Sequence, residues 1–107
     1  MKSGSVLTTK DGILLFLKAH QAELKSFGVK RLGLFGSFVR NEQHAQSDMD
    51  FLVEYEPDLK TLRNYFGLMD WLEDAFKVEI DLITTESLSP HIGPYIEKEV
   101  VYVPLSN

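Results

Sequence analysis

The chain contains no cysteine. That removes disulfides, thiolate metal sites and cysteine nucleophiles together, and it suits a reducing cytoplasm. No apolar run approaches the length of a membrane span. Positive charge is also in short supply, with 11 Lys and Arg against 16 Asp and Glu and a formal net charge of −5. Broad contact with nucleic acid needs basic patches to neutralise phosphates, so direct nucleic-acid binding is not expected. A basic protein partner fits this balance better. No internal repeat, linker or low-complexity segment divides the sequence. The opening stretch, Met1 to Leu7, is too short and too polar for a signal peptide and reads as a loose tail. What remains is ordinary globular material, 107 residues with 44% apolar and 25% charged content. This is enough for a single domain over residues 1–107.

Periodicity places the elements. Thr8 or Thr9 can cap a first helix, with Asp11 in its first turn. Ile13, Leu14, Leu17, Leu24 and Phe27 form a stripe at helical spacing, and Gly28 is the expected stop. His20 lies beside the stripe and reads as a packing residue. Val29 to Phe35 reads as a strand, with Gly33 marking a bulge or a close packing contact. A second strand starts at Asp48 and ends within Glu54 to Asp58, since pairing should stop at Pro57. A second helix is expected from Asp58 to Phe76, Asp58 being its cap. Its stripe is Leu59, Leu62, Phe66, Met69, Leu72 and Phe76. Tyr65 and Trp71 widen that surface. We read this surface as core, with an interface as the alternative. Lys77 to Thr84 reads as a third strand. Thr84 to Pro90 follows as a turn or short helix, then a short helix from Pro94 with proline at its first position. Val100 to Val103 is a small terminal strand or extended arm.

The chemistry concentrates in one stretch. The apolar run Leu32-Gly33-Leu34-Phe35 ends abruptly in Gly36-Ser37. A polar loop with Asn41, Gln43, His44, Gln46 and Ser47 leads to Asp48-Met49-Asp50. Side chains alternate along a strand, so Asp48 and Asp50 share a face, ~7 Å apart along the backbone. Aspartate is depleted in strands. Two carboxylates ~5 Å apart repel by roughly 3 kcal/mol at an effective dielectric of ~20. A divalent cation converts that repulsion into binding, because hard cations take carboxylate and phosphate oxygens. Glycine at a strand end permits close approach of a ligand. If Ser37 to Arg40 opens a helical turn, its N–H groups suit a phosphate. Arg40 reads either as a surface residue or as a phosphate contact. In the third strand Asp81 sits between Ile80 and Leu82, a costly place for an unpaired charge. Glu79 shares its face and is the alternative.

The arrangement Gly36-Ser37, ten residues, Asp48-Met49-Asp50 and a later strand carboxylate resembles the DNA-polymerase-β-like nucleotidyltransferases. Gly36 to Glu42 and Ser47 to Val53 are similar in detail to the minimal nucleotidyltransferase (MNT) subfamily, whose members are often the antitoxin of a HEPN–MNT toxin–antitoxin pair. The resemblance covers nearly the whole chain. It implies an α/β (α+β) fold, a small mixed β-sheet flanked by helices. It implies Asp48, Asp50 and Asp81 as catalytic residues and Mg²⁺ ligands. It implies ATP as substrate, with Gly36 and Ser37 cradling its phosphates and Arg40 assisting. The implied acceptor is a tyrosine hydroxyl on a HEPN ribonuclease toxin, inactivated by AMP and held in a hetero-oligomer. One departure is Asn41, where the family usually has glycine. Asparagine tolerates left-handed backbone better than most residues. Two other functions stay open. One is a non-catalytic antitoxin that masks the toxin. The other is transfer to a small-molecule hydroxyl, although relatives that do this generally carry additional domains.

Overall fold

The computed structural model describes residues 9–44 and 47–105. The expected tail at 1–7, the alternative cap Thr8 and the loop residue Gln46 lie outside the described residues. Helix α1 spans Lys10–Ala19 and is capped by Thr9, whose hydroxyl accepts the Gly12 N–H at 3.0 Å. The single long helix expected from the first stripe is in fact two, because α2 (Gln21–Ser26) starts afresh after His20. There the His20 N–H and its Nδ1 both turn back to the Phe16 carbonyl. The imidazole stacks 4.2 Å from the Phe16 ring and 5.8 Å from Trp71, so it is the packing residue its position suggested.

Strand β1 spans Val29–Phe35, as expected. A register shift between Val29 and Arg31 adds the extra residue of a bulge, so Val29 joins the same core as Leu32 and Leu34. Gly33 is a close packing contact, since a Cβ there would lie 2.9 Å from the Tyr102 ring. The four-residue helix α3 (Ser37–Arg40) follows directly, then β2 (Met49–Tyr55). Strand β2 begins one residue later than expected, leaving Asp48 on the approach to it. It ends at Tyr55, within the expected stretch before Pro57, and the Tyr55 side chain completes the alternation Met49, Phe51, Val53, Tyr55 on the core face.

The second long helix starts later than expected. Asp58 lies in a one-turn 3₁₀ helix, Pro57–Leu59, and the true cap is Thr61, whose hydroxyl accepts the Asn64 N–H at 3.1 Å. Helix α4 then spans Leu62–Phe76 and stops where Lys77 takes a left-handed φ of 58°. Strand β3 is shorter than expected, Ile80–Thr84. A 3₁₀ turn (Thr85–Ser87), helix α5 (Gly93–Glu99) and strand β4 (Val101–Tyr102) complete the described fold.

The four strands form one mixed sheet in the order β3-β2-β1-β4 among the described residues. Strand β1 is antiparallel to β2 and β4, whereas β2 and β3 are parallel. One face carries the main core, with Ile13, Leu17, Leu24, Leu68, Leu72 and Phe76 from α1, α2 and α4 covering β1 and β2. The other face is covered in part by α5, through Ile96 on Phe35 and Leu52. Asp50 and Asp81 alternate with main-core residues, and so emerge on this second face. No helix among the described residues is long and apolar enough to cross a membrane.

Candidate active site

The Gly36 turn exists because β1 must hand over to α3 within one residue. Gly36 has φ 83° and ψ −155°, a region that only glycine occupies readily. A Cβ there would run into the Asp50 carboxylate, so the turn and the carboxylate are in direct contact. Ser37 and Arg40 sit at the two ends of α3. Asn41 then adopts φ 60° and ψ 38°, and its left-handed turn brings the Glu42 N–H onto the Ser37 carbonyl at 2.9 Å. Asparagine thus performs the backbone task expected of glycine at this position.

The parallel register of β2 and β3 sets Asp50 directly beside Asp81. Of the two carboxylates weighed for the third position, Asp81 is thus the one placed beside Asp50. Glu79 lies before the strand, is exposed, and contributes its backbone carbonyl to the Met49 N–H at 2.9 Å. Asp48 is exposed at the mouth of the site, close enough for its charge to act on Asp50. The half-buried Asp50 carboxyl is pushed up to about 6, first by burial, then by the negative charges of Asp81, Asp48 and Glu99, with Arg40 opposing. Carboxylates crowded closely enough for one to resist ionisation are the kind of arrangement whose repulsion a divalent cation would offset. The donors are all hard oxygens, which fits Mg²⁺ rather than a softer metal. Among the described residues no group of three His, Asp or Glu side chains is gathered closely enough to hold a metal ion by itself.

Glu99, at the end of α5, was not recognised from the sequence. Its Oε2 accepts the Gly36 N–H at 2.6 Å and its Oε1 accepts from Arg40 Nη1 at 2.8 Å. Arg40 also donates from Nε to Glu42 at 2.9 Å. The contact joins residues 63 apart in sequence, and no local pattern separates Glu99 from its neighbour Glu97. Tyr65, expected to be an apolar filler, donates its hydroxyl to the Leu82 carbonyl at 2.6 Å. Burial and the nearby Asp81 charge raise its pKa. His44 lies in the loop before β2, and its N–H donates to the Ser47 hydroxyl at 2.9 Å. A separate groove of about 400 Å³, lined by Tyr55, Leu62, Tyr65 and Thr84 among others, lies by the far ends of β2 and β3.

The chain matches the nucleotidyltransferase domain family over residues 17–103. It is 38% identical over 98 residues to the protein adenylyltransferase MntA of Thermococcus cleftensis, covering 91% of this chain and 98% of that protein. A solved structure of a candidate minimal nucleotidyltransferase superposes with a TM-score of 0.67 at 29% identity, covering 82% of this chain and 93% of that one. The complex of the tri-AMPylated Shewanella oneidensis HEPN toxin with MNT antitoxin shares the fold, with a TM-score of 0.60 at 17% identity over 87% of this chain and 73% of that one.

Proposed function

This chain belongs to the nucleotidyltransferase domain family, and from that premise we propose that it transfers AMP from ATP to a tyrosine hydroxyl of a HEPN-domain toxin, neutralising it. The observation that carries the reading is the Asp50–Asp81 pair beside the Gly36 turn. The adenylyltransferase activity of the Thermococcus relative and the AMPylated HEPN toxin in the Shewanella complex support the choice of AMP and of acceptor.

In the transfer, the tyrosine oxygen attacks the α-phosphorus of ATP. A new phosphorus–oxygen bond forms as the bond to the bridging oxygen breaks, and pyrophosphate leaves. Asp48, Asp50 and Asp81 would hold Mg²⁺, which when bound supplies charge neutralisation and Lewis acidity at the phosphates. Asp81 assists removal of the tyrosine proton as the new bond forms. The Gly36-Ser37 backbone and the Arg40 guanidinium hold the outer phosphates, so that the leaving oxygen lies in line with the attacking one. Most of the catalysis is positioning and electrostatics, since the protein forms no covalent intermediate here.

A HEPN partner incubated with this protein, ATP and Mg²⁺ should gain one or more AMP units in its intact mass. Asp48→Asn or Asp50→Asn should lower that transfer by at least ~100-fold while leaving the fold intact. A variant of either kind with full turnover would sink the assignment. Exposed apolar residues on α4, Leu62 at 75% and Phe66 at 54%, favour a second reading in which tight contact alone masks the toxin. Neutralisation retained by Asp50→Asn, with no mass gain, would select masking.

A further inference from the structure

We propose that Glu99 is a positioning residue for the nucleotide, setting the direction of the Arg40 guanidinium and the Gly36 peptide before ATP arrives. The inference rests on the reading of the chain as a nucleotidyltransferase.

The fold delivers Glu99 to the turn by register. Strands β4 and β1 pair antiparallel, Val101 opposite Leu34 and Tyr102 opposite Gly33. Glu99, the last residue of α5, stands two residues before this pair and so reaches the end of β1 at Gly36. Helix α5 is anchored behind it by Ile96 against Phe35 and Leu52. The carboxylate is therefore fixed from both sides, by a packed helix before it and a strand pair after it. Its side chain is 24% exposed, against 64% for Glu42, the other carboxylate on Arg40. Of the two, Glu99 is the one that can hold a direction.

Electrostatics argues that its placement is not incidental. Asp48, Asp50 and Asp81 already crowd this corner, and Glu99 adds a fourth negative charge that acts on Asp50. Like charges so close destabilise one another. The compensation is the two charge-assisted hydrogen bonds, to the Gly36 N–H and to Arg40 Nη1. A guanidinium has five N–H donors in a rigid fork. Among the described residues Nε–H goes to Glu42 and one Nη1–H to Glu99. The rest of the fork remains for a polyphosphate, already oriented, so that less rotamer freedom is lost on binding.

The test is the affinity of the full chain for ATP with Mg²⁺, measured by calorimetry, together with KM and kcat of transfer to a HEPN partner. Glu99→Gln keeps an oxygen for the Gly36 N–H and loses the charge that holds Arg40. It should raise Kd and KM for ATP roughly tenfold, with a smaller change in kcat. In an Arg40→Gln background it should add little, because a residue acting through Arg40 has nothing left to act on. Glu97→Gln, on the same helix and exposed, should change neither constant. Unchanged affinity in Glu99→Gln overturns the proposal. So does tighter binding, which would make the carboxylate a competitor of the phosphates, and so does full additivity with Arg40→Gln. Should Glu99→Gln be too unstable to assay, Glu99→Asp, which retracts the charge by one methylene, must move Kd in the same direction. Wild-type protein that binds ATP but modifies no HEPN protein would overturn only the acceptor, leaving the affinity comparison in force. Wild-type protein that binds no ATP would overturn both.

Discussion

Gly36 is where a single residue carries both fold and chemistry. Its φ of 83° with ψ of −155° excludes other side chains, and a Cβ would collide with the Asp50 carboxylate. Gly36→Ala should therefore lower stability by about 1–3 kcal/mol through backbone strain. It should also lose transfer activity to a greater degree than its stability predicts, because the displaced group is Asp50. Denaturant unfolding beside a turnover assay at a temperature where the variant is folded would separate the two effects. Activity that merely tracks the folded fraction would show that the contact with Asp50 does not matter. Residues of this kind were legible in the sequence because their chemistry is local. A glycine ending an apolar run, aspartates at alternate positions and a carboxylate between Ile80 and Leu82 each depart from a local propensity, and the structure brings all of them to one corner. Glu99 violates none. It is a glutamate at the end of a short helix, and its contact with Gly36 joins segments far apart in the sequence.

At the scale of an element, α4 is the instructive case. Three- and four-residue spacing suggested one apolar stripe from Leu59 to Phe76. The buried residues are instead Leu68, Leu72 and Phe76, while Leu59, Leu62 and Phe66 are exposed. The physical reason is the start of the helix. The chain leaves β2 through a 3₁₀ turn and is capped afresh at Thr61, so Leu59 precedes the helix, and α4 meets the sheet through Tyr65, Leu68, Leu72 and Phe76 rather than through Leu62 and Phe66. Two apolar stripes at helical spacing overlap on this helix, and periodicity alone does not say which of them meets the sheet. Leu72→Ala should lower stability by about 2–5 kcal/mol, the usual consequence of a cavity in a dense core. Leu62→Ala should change it by less than ~0.5 kcal/mol. Comparable losses from the two would show that Leu62 is packed after all. The break at His20 was hidden for a related reason. The stripe continues across it, and only the return of His20 to the Phe16 carbonyl interrupts the helix. Strand β1, by contrast, begins after Gly28 and ends before Gly36, and both glycines have positive φ, so both of its ends were written in the sequence.

On the scale of the whole molecule, the fold brings carboxylates from an approach loop, two strands and a helix end to one corner of a protein that is already acidic, at a formal net charge of −5. The corner is destabilising without a cation, and its effect on stability has a definite sign. The Asp50 carboxyl is raised from 3.8 to about 6 in the folded state, chiefly by burial and by Asp81. Between those values the native state binds the proton that the unfolded chain has released. Stability contributed by this group is therefore full below about pH 4, and is lost as pH rises through about 6. Other carboxylates titrate over the same range, so Asp50→Asn supplies the reference. Without metal at pH 7.5 the variant should be the more stable protein, by on the order of 1 kcal/mol once the solvent-facing side of the carboxyl is allowed for. That advantage should shrink as pH falls from about 6 towards 4. Adding Mg²⁺ with ATP at pH 7.5 should reverse the order, stabilising the wild type by mass action and Asp50→Asn much less. Thermal melts of both proteins across pH, with and without Mg²⁺ and ATP, measure all three. A gap between them that does not change with pH would mean that Asp50 titrates normally. The crowding of negative charge would then not be the strain that a bound cation relieves.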